Sequence, residues 1–95
     1  MVSYEIRFPD YFDTDAPVIE TKGYFGDVTI TAGGRLYRPS FYDQTWYAQE
    51  VTEAVTREGL FCESNTVVVT SVTRQHVEAA IRRLTENDFL NLKAE

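Results

Sequence analysis

This chain of 95 residues is short of several features, and each shortage excludes a class of protein. It has one cysteine, Cys62, and so no internal disulfide; we expect a reduced, partly buried thiol in a cytoplasmic protein. No apolar run exceeds the three residues 67–69, far short of the roughly 20 that cross a membrane. The chain does not begin with a basic stretch followed by an apolar run, so we expect no secretory signal.

Side chains that build metal and catalytic sites are also scarce. His76 is the only histidine, which excludes a zinc site of the usual nitrogen and sulfur ligands, and it lies on a different predicted element from Cys62. Gly33 and Gly34 follow a predicted strand but lead into another strand, whereas a phosphate cradle needs the start of a helix. We therefore expect a non-enzymatic protein with no catalytic residues, no cofactor and no metal.

An acidic segment near the N-terminus is the one place where a cation would find several oxygen ligands. It contains Asp10, Asp13 and Asp15, with Glu20 beyond them. The spacing lacks the glycine and the terminal glutamate of a calcium loop, and Ala16 follows where phosphoryl-transfer aspartate enzymes have a glycine. A solvated acidic loop is the simpler interpretation. An enzyme that uses Asp13, Asp15 or His76 is the weakest hypothesis, because it needs these groups to converge in a pocket.

The net charge is −6 and is unevenly distributed. Residues 1–27 carry six acidic and two basic side chains, residues 43–63 carry five acidic and one basic, and residues 64–95 are balanced. A negative field repels phosphate backbones, so we expect no nucleic-acid binding. The same field would attract a basic protein, although a modest negative charge also serves solubility alone.

Two segments that lie 29 residues apart in the chain repeat the same apolar pattern. Each predicts an amphipathic helix followed by a strand that begins with two large apolar residues. Asp43 and Thr73 are good N-caps for the two helices, and Gly59 is a suitable end for the first. The matched residues are Ala48, Val51, Val55, Thr56, Leu60 and Phe61 in the first segment and Val77, Ala80, Leu84, Thr85, Phe89 and Leu90 in the second.

The remaining apolar patterns predict strands, and together they suggest a fold class. Alternating apolar residues predict strands at 2–8 and 28–31, and Gly33 and Gly34 predict a hairpin turn that leads from the second of these to a strand at 35–38. The β-branched residues at 66–70 predict a central strand, and residues 18–21 are a candidate edge strand. With 43% hydrophobic residues, we expect a single domain of residues 1–95 with a true core. Residues 28–92 thus have the order βαββαβ, which resembles the ferredoxin-like α+β sandwich, with two helices on one sheet and one or two extra N-terminal strands.

One surface stands out on the first predicted helix. Trp46, Glu50, Glu53 and Arg57 follow one another at helical spacing, away from Ala48, Val51 and Val55. A tryptophan beside acidic residues is typical of an interface anchor with a polar rim, so we predict a protein-binding surface at these four residues. The alternative is that residues 10–22 fold over Trp46 and bury it as part of the core.

These observations lead to a principal function and an alternative. We expect a small acidic domain that binds another protein, such as a basic enzyme or toxin that it inhibits, since immunity-type proteins have this size and charge. The alternative is a ligand-sensing or regulatory domain that forms a homodimer through its sheet or helices, with a seam at 60–63 and 66–70. We expect no membrane association under either hypothesis.

Overall fold

The computed structural model describes residues 3–89 and 92–95 as a small α+β domain with three helices and two three-stranded sheets. In chain order the elements are β1 (Tyr4–Arg7), α1 (Ala16–Lys22), β2 (Tyr24–Phe25), β3 (Thr29–Ala32), β4 (Arg35–Tyr37), β5 (Ser40–Asp43), α2 (Gln44–Glu58), β6 (Thr66–Val69) and α3 (Arg74–Thr85).

The strands divide into an antiparallel sheet and a mixed sheet. Sheet A has the order β1-β3-β4 and is antiparallel throughout. Gly33 and Gly34 join β3 to β4 with φ values of 57° and 76°, which confirms the predicted twin-glycine hairpin. Sheet B has the order β2-β5-β6; β2 is antiparallel and β6 parallel to β5, so α2 forms the crossover between two parallel strands.

One hydrophobic core lies between the two sheets and α3. Sheet A contributes Ile30 and sheet B contributes Phe41, and both side chains are fully buried. The stripe predicted on the second helix packs into this core, with Val77 and Ile81 fully buried and Ala80 and Leu84 packed against it. Aromatic residues from the loops complete it, chiefly Phe12 and Phe89.

The ferredoxin-like βαββαβ arrangement is not confirmed, because the numbers and positions of the elements differ. Residues 60–63 form no strand; the apolar stretch after Gly59 is short, and Phe61 packs on the ring of Tyr47 instead. Phe89 lies in a turn with φ 60°, while Leu90 and Asn91 of the predicted last strand, like Val2 of the first, lie outside the described residues. Within the described residues, strand β6 pairs with β5 alone, so in this part of the chain it is an edge strand rather than a central one.

The predicted edge strand at 18–21 is wrong, since these residues belong to α1. Pro17 lies in the first turn of this helix, where its missing N–H and fixed φ are favourable. Gly23 ends the helix in the left-handed conformation with φ 76°, and its N–H donates to the Ile19 carbonyl at 2.9 Å. The acidic segment is therefore a turn followed by a short helix.

The caps predicted for the two longer helices are confirmed. The Asp43 carboxylate accepts a hydrogen bond from the Trp46 N–H at 2.7 Å, and Gly59 ends α2 with φ 84°. The Thr73 hydroxyl accepts from the His76 N–H at 3.3 Å at the start of α3. Each helix therefore begins at the residue that its capping side chain dictates.

The last described residues connect the two sheets. Asn65, just before β6, donates to the Lys93 carbonyl at 3.0 Å and accepts from the Lys93 N–H at 2.5 Å. Two residues later, the Glu95 N–H donates to the carbonyl of Leu36 in β4 at 2.8 Å. Segment 92–95 thus contacts both the residue that precedes β6 of sheet B and the edge strand β4 of sheet A.

Candidate functional site

Helix α2 covers the outer face of sheet B, on the side opposite the core. Side chains alternate along a strand, so Phe41 and Val69 point into the core while Tyr42 and Val68 point outward. Tyr24 lies opposite Tyr42 in the β2–β5 pair and shares this outer face. The outer face of sheet B therefore presents two tyrosines and a valine to α2.

A row of aromatic rings fills the space between α2 and this face. The ring centroids are 5.0 Å apart for Tyr24 and Tyr42, 5.7 Å for Tyr42 and Tyr47, and 5.5 Å for Tyr47 and Phe61. The contact between Tyr42 and Tyr47 is a hydrophobic staple, because Tyr42 directly precedes the N-cap Asp43 and Tyr47 follows it by four residues. These rings, rather than an aliphatic stripe, hold α2 on the sheet.

Tyr42 is the fixed centre of the aromatic row. Only 7% of the residue is exposed, and its hydroxyl donates to the Glu63 carboxylate at 3.0 Å. Burial raises the pKa of Tyr42 well above the ordinary tyrosine value, and the hydrogen bond to Glu63 and the negative charges nearby raise it further. The phenol is therefore neutral over the whole physiological range of pH, and its orientation is set by one partner.

The face that α2 turns to the sheet overlaps only in part with the predicted one, since Val51 of the predicted stripe is half-buried. None of its 15 residues is fully buried. Ala48 and Val55, predicted to lie on the apolar stripe, are exposed, with Val55 at 48%. The half-buried residues, which define the inner side, are Trp46, Tyr47, Glu50, Val51 and Ala54.

Alignment of the two long helices at their N-caps explains this rotation. Asp43 and Thr73 are 30 residues apart, so the structural correspondence is offset by one residue from the 29-residue sequence repeat. One residue corresponds to a rotation of about 100° around a helix. With the 30-residue offset Val51 corresponds to buried Ile81, and Glu50 corresponds to Ala80, which packs against the core. Glu50 thus occupies a position that faces inward.

The inward rotation creates a groove at the side of α2. Tyr24, Tyr42, Trp46 and Glu50 line a cavity of about 200 Å³. Trp46 is half-buried, and its neighbours in the groove come from sheet B and α2 rather than from residues 10–22. Trp46 therefore contacts its own chain while part of its surface stays open.

The four predicted interface residues fall into two pairs. Trp46 and Glu50 border the groove and are half-buried. Glu53 and Arg57 are exposed on the outer surface, where Arg57 lies 3.7 Å from the carboxylate of Glu58. The helical spacing predicted one surface for all four residues, but the orientation of α2 on the sheet places two of them on the inner side and two on the outer side.

Sequence patterns did not identify the two tyrosines of the groove. Tyr24 lies between Gly23 and Gly26 in a segment with no clear alternation, and it reaches the site only because β2 pairs with β5. Tyr42 comes directly before the N-cap of α2, and it reaches the groove through the same pairing of strands. An alignment of the two helices at their N-caps would have placed Glu50 on the inner side, whereas the apolar spacing placed it on the outer side.

The acidic residues and the histidine considered for catalysis lie elsewhere. Asp13 accepts three hydrogen bonds of 3.0–3.1 Å from the Arg74 guanidinium, which stacks on the Phe8 ring at 4.1 Å. His76 Nδ1 lies 2.8 Å from the Thr73 hydroxyl, within the helix cap. Across 3–89 and 92–95, no three His, Cys, Asp or Glu side chains are grouped to hold a metal ion. In the same ranges, no helix has the length and apolar character needed to cross a membrane.

Comparison of the chain with protein-family models, with curated proteins and with solved structures gives no match.

Proposed function

We propose that this chain is a small acidic domain that binds a basic protein on the outer side of α2 and acts without catalysis. The incomplete burial of α2 carries the proposal, since a 15-residue helix lies across sheet B and none of its residues is fully buried. Most helices in proteins are held by the packing of an apolar face rather than by helix propensity. A partner that covers α2 would supply the missing burial.

The charge around α2 supports a basic partner. Glu50, Glu53 and Glu58 lie on this helix, and its one basic residue, Arg57, is already next to Glu58 at 3.7 Å. Glu53 is exposed, and Glu50 is half-buried and lines the groove. Clustered lysine and arginine side chains on a partner would be attracted to this side, and the association rate would fall as salt increases.

Trp46 would be the anchor of such an interface. Tryptophan is enriched among the residues that contribute most to binding, particularly where a pocket surrounds it. Its half-buried ring beside Glu50 has an apolar surface and a charged border. Inhibition of a basic enzyme or toxin, as immunity-type proteins achieve, is the narrower form of the proposal, and the acidity of the chain supports it.

A site-specific crosslink tests the proposed surface. We would place a photoreactive phenylalanine analogue at position 53 in one variant and at position 82 in another, because Arg82 is exposed on the other long helix. We expect position 53 to crosslink a protein with an excess of basic residues in cells of the native host, and position 82 to give no such product.

Affinity measurements with that purified protein complete the test. Trp46→Ala and Glu53→Lys should each weaken binding at least about tenfold, as the loss of an anchor and the reversal of a favourable charge predict. Glu86→Lys, the same charge change at an exposed residue after α3, is the matched control. Unchanged affinity in both folded α2 variants would mean that the partner binds elsewhere.

A specific observation also favours the alternative of a regulatory homodimer. Among residues 3–89 and 92–95, strand β6 has one hydrogen-bonded neighbour, β5, and none of its four residues is charged. Exposed sheet edges are usually protected by charged residues, proline or bulges. Val68 is 41% exposed, and Leu60 is 61% exposed in the segment that precedes the strand.

Antiparallel pairing of two β6 strands would produce a continuous six-stranded sheet with a two-fold axis. Sedimentation equilibrium at millimolar concentration should then give the mass of a dimer, and Val68→Lys should return it to a monomer. A monomeric mass for the wild-type chain at every concentration would eliminate this alternative.

A further inference from the structure

We propose that the groove lined by Tyr24, Tyr42, Trp46 and Glu50, here named the aromatic pocket, binds the ammonium head of a lysine side chain of the partner. This inference rests on the proposed function, because it assigns the chemistry by which the α2 side recognises a basic protein. Three of the four residues are aromatic and the fourth carries a negative charge. This combination matches an organic cation better than any neutral or anionic group.

The aromatic walls supply the first part of the attraction. The faces of tryptophan and tyrosine rings carry partial negative charge, and tryptophan is the strongest of the aromatic residues in this respect. Tyr24 and Tyr42 form a corner, with ring centroids 5.0 Å apart and planes inclined by 46°. Trp46 borders the same cavity from α2. A cation in the groove therefore meets aromatic surface from both the sheet and the helix.

The shape of the corner selects an ammonium over a guanidinium. A planar guanidinium sandwiched between two rings needs parallel faces about 7 Å apart, twice the usual contact distance. The two tyrosine rings are closer than this and are inclined to each other. The cavity of about 200 Å³ is several times the roughly 30 Å³ of one water molecule, so it accepts a compact, rounded head group.

Glu50 supplies the second part of the attraction. It is half-buried on the inner side of α2, where the corresponding residue of α3 is Ala80. Its charge is near enough to contribute to the raised pKa of Tyr42, after the larger contributions of burial and of Glu63. The Glu63 carboxylate accepts the hydrogen bond of the Tyr42 hydroxyl. Glu50 is the carboxylate that lines the pocket.

The pocket is formed before any ligand arrives. Burial and the hydrogen bond to Glu63 hold Tyr42 in place. A Cβ atom at position 26 would lie 2.7 Å from the Tyr24 hydroxyl, so the glycine there leaves room for this ring. Preformed walls reduce the ordering required on binding and so favour affinity for a small group.

The surroundings of the aromatic pocket extend the inference from one side chain to a segment. Tyr24 also borders a second groove of about 250 Å³ between α1 and β2. That groove includes two carboxylates, Asp15 and Asp27, and one basic residue, Lys22. A lysine in the aromatic pocket would therefore direct its flanking residues toward a predominantly acidic track, which suits an extended basic segment.

Small cations provide a test that does not require the partner. Trp46 is the only tryptophan, so its fluorescence and its indole N–H resonance report on the pocket alone. We would titrate the protein with choline, with its neutral carbon analogue 3,3-dimethylbutanol, and with the N-acetyl methylamides of lysine and arginine. We expect choline and the lysine derivative to give saturable changes, and the neutral analogue to bind several-fold more weakly.

Variants separate the pocket from general acidity. Glu50→Gln and Tyr24→Leu should each weaken choline binding by about threefold to thirtyfold, the range that cation–π and single-charge interactions span. Glu86→Gln removes the same charge from an exposed residue after α3, outside the proposed interface, and should leave choline binding unchanged. Equal binding of choline and its neutral analogue, or equal effects of the two glutamine variants, would overturn the inference.

The two proposals fail separately. If the crosslinked partner depends on Trp46 but no cation binds the free protein, the assignment of lysine is wrong and the interface stands. Tighter binding of the arginine derivative than of the lysine derivative would also overturn the assignment. If cations bind as expected while no partner crosslinks to position 53, the pocket stands and the outer side of α2 is not the interface.

Discussion

Gly23 connects α1 to β2 and touches the cap of α2, so a single methyl group there would disturb two helices. Its φ of 76° is left-handed, and an added Cβ would lie 2.5 Å from Asp43 Oδ2. The other carboxylate oxygen of Asp43 accepts the capping hydrogen bond from Trp46. The Asp43 N–H also donates to the Gly23 carbonyl at 2.9 Å, so neither residue moves without the other.

The effect of Gly23→Ala combines two contributions. A left-handed conformation destabilises a residue with a Cβ by about 1–2 kcal/mol. Displacement of the Asp43 carboxylate removes a cap that is typically worth about 1 kcal/mol. We therefore expect Gly23→Ala to lower the free energy of unfolding by about 2–3 kcal/mol in urea titrations followed by Trp46 fluorescence.

Two further variants separate these contributions. Gly33 also has a left-handed φ of 57°, but a Cβ there would meet nothing within 4 Å, so Gly33→Ala should lose only about 1–2 kcal/mol. Asp43→Ala should lose about 1 kcal/mol through the cap alone. Because the clash needs Asp43, the double variant Gly23→Ala/Asp43→Ala should be about 1 kcal/mol more stable than additivity predicts. Strict additivity, or equal losses for the two glycine variants, would refute the reasoning.

Three other predictions concern the core, a surface ion pair and a tyrosine. Phe89→Ala should lower the free energy of unfolding by about 3–5 kcal/mol, because this ring is 1% exposed. Leu60→Ala is the control and should change it by less than about 0.5 kcal/mol, because Leu60 is 61% exposed. Arg74→Ala should cost about 1–2 kcal/mol through loss of the Phe8 stack and the ion pair, and Asp13→Asn less than about 1 kcal/mol, because only the exposed ion pair is lost. The pKa of Tyr42 is raised in the folded chain. Above pH 10, the ordinary pKa of tyrosine, the unfolded chain therefore loses this proton first and the free energy of unfolding falls. In urea titrations followed by circular dichroism, Tyr42→Phe should lose less stability at alkaline pH than the wild-type chain.

Local sequence was sufficient wherever one side chain determines the backbone. Asp43 and Thr73 begin the two long helices as predicted, and Gly59 ends the first. The twin glycines form the hairpin of sheet A. These features depend on neighbours within a few residues, so the chain needs no tertiary context to specify them.

Strand pairing was harder to predict because it joins residues distant in sequence. β2 has two residues and β5 has four, and both are strands only because they pair with each other and with β6. Conversely, residues 60–62 have strand-like composition but pair with no strand in the described ranges, and Phe61 packs on Tyr47 instead. Short apolar stretches acquire their structure from the partner available, which a single sequence does not reveal.

The candidate site illustrates the same limit on a smaller scale. The apolar spacing of α2 placed Ala48 and Val55 inward, and the structure exposes both. The cap and the aromatic contacts of Tyr47 override that spacing and turn Trp46 and Glu50 toward the sheet. Two of the four predicted interface residues therefore border a pocket, whose tyrosines come from strands that the sequence did not pair.

The link that Asn65 makes with Lys93 has a consequence for the rate at which the protein opens. Sheets A and B share no hydrogen-bonded strand pair in the part of the chain described, whereas segment 92–95 is hydrogen-bonded both to the Asn65 side chain before β6 and to Leu36 in β4. Its contacts close a loop of 28 residues, and such long-range contacts tend to form after the folding transition state. Removal of the Asn65 amide should therefore accelerate unfolding while the folding rate changes little. The lifetime of the folded protein would then fall by the full factor that corresponds to the stability contributed by the contacts of segment 92–95.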